Sequence, residues 1–183
     1  MRPPTGPRAR PHGLLTVLAG LLVGLVYAAA LRAWMRLVST DPEFTWTGTG
    51  FILGAFAVLG SMAGLATVAR TRSGPGTTLA VRVVGIVLSL GCFIAAGAAM
   101  LPTIVPAGLG VGRTDWPHWL RLCLVGLGVA AGVAVVMTLP GLEVGRRLLA
   151  LVLYAALCPV EVALVSRLYA PSRLPADSRT SVP

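Results

Sequence analysis

Lysine is absent: all fifteen basic residues are arginine, set against six acids and three cysteines in 183 residues. With only 11% charged residues, the chain lacks the polar surface that a soluble domain of average makeup carries. The arginines stand in ones, twos and threes beside apolar spans and line no single polar helix or sheet. That pattern speaks against nucleic acid as a partner and for helix flanking and contact with anionic headgroups. Cys92, Cys123 and Cys158 fall in three different apolar spans with no CxxC spacing, and they read as small core residues. His12 and His118 have no acidic or thiol companion at ligand spacing, so no metal and no cofactor is implied. No phosphate loop, GxSxG elbow, HExxH helix or Cys/His pair occurs, which leaves no recognisable catalytic constellation.

What is present is apolar length. Hydrophobic residues make up 56% of the chain, dominated by Ala, Gly, Val and Leu. Together with arginine-only basicity, this is the residue usage of a GC-rich, and so bacterial, genome. The expected architecture is all-α: a polytopic membrane helical bundle of five transmembrane helices, at about 14–38, 49–69, 78–101, 120–139 and 147–169. They form a single domain, 14–170, between a disordered basic tail at 1–13 and a disordered tail at 171–183.

Leu14 to Leu31 is uncharged and reaches spanning length by continuing into the arginine-bearing segment after it. The competing reading is a cleaved signal peptide, since Ala28-Ala29-Ala30 resembles its cleavage site. Gly50 to Ala69 is the clearest span, closed by Arg70, Arg72 and the turn Ser73-Gly74-Pro75-Gly76. In the third span Arg82 is placed to snorkel to the headgroups. Pro102 to Gly112 is apolar but full of breakers, and reads as a greasy loop at the interface or one dipping into the protein. Leu122 to Leu139 is stopped by Pro140-Gly141, and the last span carries Pro159 and Glu161. Glycines at four-residue spacing (20 and 24, 50 and 54, 60 and 64, 128 and 132) predict close helix packing or self-association.

With the N-terminus cytoplasmic, five spans put the C-terminus outside the inner membrane. They also put Trp34, Trp46, Trp116 and Trp119 on one extracytoplasmic side with Asp41, Glu43 and Asp115. Thr40 or Asp41 is the expected cap of the second helix, with Pro42 at its first position. Arg32 and Arg36 share a helix face near these acids. Arg32, Trp34, Arg36, Asp41, Glu43, Trp46, Trp116 and Trp119 thus form a candidate platform for a partner membrane protein; a homo-oligomer is the other partner considered. Glu161 is the sharpest single residue. A carboxylate in mid-span costs about 3 kcal/mol to insert, and it reads either as a packing lock with Arg32 or as a proton or ion site.

The segment Arg32-Ala-Trp34-Met35-Arg36 followed by Pro42-Glu43-Phe44-Thr45-Trp46-Thr47-Gly48-Thr49 resembles a pattern in small multi-pass membrane proteins of actinobacteria. It covers a small part of the chain and implies no activity. Three functions follow from the residues: a non-enzymatic accessory or scaffold subunit, a small transporter or channel component using Glu161, and a membrane enzyme with an external Asp/Glu/Arg site.

Overall fold

A segment surrounded by hydrocarbon has to satisfy its own backbone donors and acceptors, and a helix does so within the segment. The computed structural model describes residues 12–39, 45–95 and 100–171, and six helices and no strand occur among them. They are α1 (His12–Val38), α2 (Trp46–Arg72), α3 (Pro75–Ala95), α4 (Leu101–Gly112), α5 (His118–Thr138) and α6 (Val144–Tyr169). The protein is an all-helical bundle, and α1, α2, α5 and α6 are long and apolar enough to cross a membrane. The first helix starts within the expected basic tail, at His12.

The five-span expectation needs correcting at 78–101. That stretch is not one helix: α3 ends at Ala95, and Pro102 to Gly112, expected as a loop, belongs to a helix of its own, Leu101–Gly112. Pro102 lies in its first turn, where the missing N–H is not needed. Pro106 is inside it, tolerated because neighbouring helices enclose the segment. Its glycines give it room. A Cβ on Gly110 would stand 2.7 Å from the Arg121 carbonyl oxygen, and one on Gly112 2.7 Å from that of Ser166. With 12 residues, α4 is about 18 Å long, roughly half a hydrocarbon thickness.

Helices α1 and α2 form the tightest pair. A Cβ on Gly20 would run into the Gly60 carbonyl oxygen, and one on Gly24 into that of Phe56. Gly13 lies beside Arg72 and Gly64 beside Thr16, so the start of α1 and the end of α2 share one end of the bundle. Call it the first end. Arg167 lines a groove with Leu15 and Thr16, which brings the end of α6 there too. Gly112 against Tyr169 adds the end of α4, and with it the start of α5. At the second end, Arg146 donates to the Leu37 carbonyl (2.6 Å) and Arg147 to that of Leu139 (3.1 Å).

The extra helix changes the parity of the chain. His12 and Tyr169 lie at the same end of the bundle, where five spans would put them at opposite ends. Everything after Gly112 is inverted relative to expectation: Trp34 and Trp46 belong to the second end, Trp116 and Trp119 to the first. The tryptophans are divided between opposite rims, and Arg146 and Arg147 lie opposite Arg70 and Arg72.

The cap of α2 also differs. It is Thr45, in extended conformation, whose Oγ1 accepts from Gly48 N–H at 3.3 Å. The helix starts at Trp46, so the local Thr-x-x-Gly turn replaces the expected start at Pro42; Thr40, Asp41 and Pro42 lie outside the described residues.

Two outcomes check this arrangement. Gly60→Val should lower detergent stability by about 1–3 kcal/mol through overpacking, while Gly54→Val, with nothing within 4 Å of the added Cβ, should be near neutral in the same thermal melt. In a cysteine-free background, cysteines placed at Ser73 and Thr114 should label with an impermeant maleimide from one side of the membrane, and those at Ser39 and Gly141 from the other.

Candidate functional site

The inward stripe of α6 runs through Ala150, Tyr154, Glu161, Leu164, Val165 and Leu168, at the three- and four-residue steps of one helix face. Glu161 occupies a position in that stripe that any neighbour would fill with an apolar residue, and it is 0% exposed. Pro159, inside the helix two residues earlier, removes one backbone donor and leaves the carbonyl a turn before it without its helical partner.

The partner of Glu161 comes from α1. Tyr27, also buried, donates its hydroxyl to Glu161 Oε2. The two side chains meet because Cβ bonds tilt toward each helix's own N-terminus, and the antiparallel helices aim them at one another. The same hydroxyl lies 3.8 Å from the sulfur of Met100, the residue that precedes α4. Phe56 of α2 packs on the Tyr27 ring with centroids 5.0 Å apart. Glu161 Oε1 has no hydrogen-bond partner among the described residues.

A second polar contact lies deeper along α6: Thr103 Oγ1 and the Tyr154 hydroxyl are 2.7 Å apart, both residues buried. A Cβ on Gly132 would stand 2.7 Å from the Tyr154 ring, so only glycine leaves space for it on α5. Beyond Tyr154, the Trp34 ring packs at 5.4 Å, and its Nε1–H donates to the Ala150 carbonyl at 2.9 Å. Five helices therefore converge on Glu161 and Tyr154: α1, α2, α4, α5 and α6.

The Arg32 lock is not built. Arg32 is five residues beyond Tyr27, about 140° around α1, and half-buried on a different face. Glu161 takes its hydrogen bond from Tyr27 in its place. The platform is not assembled either. Trp34 is inside the core, Arg36 is exposed, Trp46 is exposed at the second end, and Trp116 and Trp119 lie at the first. Asp41 and Glu43 lie outside the described residues. Asp115 pairs with Arg113 at 3.3 Å, and the Arg113 guanidinium sits 5.1 Å above the Trp116 ring. Cys123 is exposed and Cys158 half-buried, so Cys123 is no core residue.

Sequence reasoning missed Tyr27, Met100, Thr103 and Tyr154. One signal was there for the tyrosines: Tyr27 and Tyr154 fall in the interior of apolar spans, whereas Tyr169 ends one, and a buried phenol needs a partner. Also missed was the use of Arg82, which donates to the carbonyls of Leu168 (2.8 Å) and Tyr169 (3.1 Å) at the end of α6 and does not snorkel.

No protein-family model, curated protein or solved structure matches the chain.

Removing the Tyr27 hydroxyl strands a buried acceptor. Tyr27→Phe should cost about 1–3 kcal/mol, whereas Tyr27→Phe combined with Glu161→Leu, which removes both polar partners, should cost less than Tyr27→Phe alone. Chemical denaturation in mild detergent measures both.

Proposed function

We propose that the protein is a small integral membrane transport component in which Glu161 holds a proton or small cation at mid-depth. One observation carries this reading: the Glu161 side chain is fully buried among apolar helices, with a neutral phenol as its only hydrogen-bond partner among the described residues. A carboxylate taken out of water with no cation beside it costs several kcal/mol, so such a site holds the group together with a proton or a bound cation. Intramembrane acids of this kind mark proton and ion paths. The setting fits as well, since a half-length helix begins at membrane depth beside the acid, the arrangement from which transporter sites at the midplane are built.

Two lateral grooves border α6, one against α1 and one against α4 and α5; Pro159 lines both and Glu161 neither. The site is therefore occluded in this conformation. The accessory-subunit reading called for a one-sided aromatic and charged surface; Trp34 is internal and Trp46 stands at the opposite end from Trp116 and Trp119, which favours the transport reading over it. The enzyme reading called for a concave polar pocket joining Glu43, Asp115 and an arginine; Asp115 pairs with Arg113 at 3.3 Å with its side chain 44% exposed, and Glu43 lies outside the described residues.

Arginine distribution supports a cytoplasmic first end, and so cytoplasmic N- and C-terminal helix ends: Arg70, Arg72, Arg82, Arg113, Arg121 and Arg167 stand there, against Arg32, Arg36, Arg146 and Arg147 at the second.

Purified protein in liposomes loaded with a pH-sensitive dye, energised by a potassium diffusion potential or a sodium gradient, tests the proposal. Wild type should exceed protein-free vesicles in proton or cation flux, Glu161→Gln should return the flux to that baseline, and Arg36→Gln should leave it unchanged. A wild type no leakier than empty vesicles, or a Glu161→Gln variant that conducts like wild type, overturns it.

A further inference from the structure

We propose that the groove between α4, α5 and α6 is a phospholipid site that takes one acyl chain along its floor and an anionic headgroup against Arg121. The groove has a volume of about 300 Å³ and is lined by apolar side chains such as Ala107, Val111, Val125, Val129, Ala155 and Val162. Its polar members, Thr103 and Tyr154, bond to each other at 2.7 Å, so they offer a chain their carbon flanks. Volume and lining are those of a small-molecule site between the helices of a bundle.

Direction and length identify the occupant. Along α6 the lining runs from Leu151 to Val162, about 16 Å, or roughly one leaflet of a 30 Å hydrocarbon core. The groove follows the helices, and so the direction in which lipid chains lie. It is flanked by exposed apolar residues, among them Leu122 and Val152, so its surroundings in the membrane are lipid chains and no water.

Charge at the mouth supplies the headgroup contact. Arg121 lies one turn before Val125 on α5, and helical side chains tilt toward the N-terminus, which here is the first end. Its Nε donates to the Gly110 carbonyl at 2.9 Å, which fixes the guanidinium over the end of α4. The Nη donors have no partner among the described residues. A guanidinium anchored on one edge and open on the other suits a phosphate oxygen. Arg113 is already engaged by Asp115 and Trp116, which leaves Arg121 as the headgroup ligand. Trp119, 65% exposed in the first turn of the same helix, marks the level where indoles meet headgroups.

Native mass spectrometry in mild detergent tests the site, with phosphatidylglycerol and phosphatidylcholine of identical chains added in competition. Wild type should retain one phospholipid and favour the anionic one by about fivefold, the effect of one arginine near an anionic headgroup. Ala155→Leu, which fills the groove from an exposed position, should lose the adduct of either lipid. Arg121→Gln should keep an adduct and lose the headgroup preference. Val160→Phe fills the other groove, against α1, and should behave as wild type. No retained lipid on wild type, retention by Ala155→Leu, loss with Val160→Phe, or an undiminished preference in Arg121→Gln would each overturn the proposal.

Discussion

Hydrocarbon offers a helix end nothing to bond with, and the last four carbonyls of every helix are left over by the helix itself. This protein answers with arginine. The guanidinium of Arg82 on α3 covers the end of α6, Arg121 on α5 covers α4, and Arg146 and Arg147, in the first turn of α6, cover α1 and the segment that follows α5. Each is a positive group at the negative end of a helix dipole. Each also ties two different helices together. A guanidinium keeps its charge and has five donors in a fixed plane, so it can satisfy two carbonyls at once, as Arg82 does. Residues that look in the sequence like topology markers are cross-links between helices.

Glycine does the complementary work along the helix flanks. Gly20, Gly24, Gly60 and Gly64 bring α1 and α2 into backbone contact, and Gly108, Gly110, Gly112, Gly128 and Gly132 seat α4 between α5 and α6. With α4 wedged between them, α5 and α6 are held apart along part of their length. The lateral groove lies over that wedge, so a lipid-sized space follows from seating a short helix where a long one would have closed the bundle.

The long elements were legible from hydrophobic length alone. The expected spans at 49–69 and 147–169 lie within α2 and α6, and the one at 120–139 matches α5 to within two residues at either end. Failure came at one place. Pro102, Pro106 and the glycines from 108 to 112 carry the breaker meaning they have in water, where an unpaired carbonyl or a mobile backbone meets solvent. Enclosed by α5 and α6, the same residues permit close approach and form a helix. A single uncounted helix exchanges the ends of the bundle for every later segment, so a misreading of eleven residues also moved Trp116 and Trp119 to the end opposite Trp46. Glu161 was legible because a lone carboxylate in an apolar run has few meanings. Its partner was not, because spacing along α6 carries no information about which face of α1 is turned toward it.

That the partner is Tyr27 and not Arg32 bears on what the carboxyl can do. An arginine beside Glu161 would supply a permanent countercharge and a fixed pair, valuable as a lock and indifferent to anything that arrives. A phenol supplies one hydrogen bond and no charge. Any change in the charge of Glu161 must then be met by a proton or a cation coming to the site or leaving it, and the unpartnered Oε1 is where such a species would bind. The hydroxyl that holds Oε2 also touches Met100, at the start of α4. The carboxyl, the Tyr27 hydroxyl and the residue that opens the half-length helix therefore form one connected set of contacts, and the same helix lines the lateral groove.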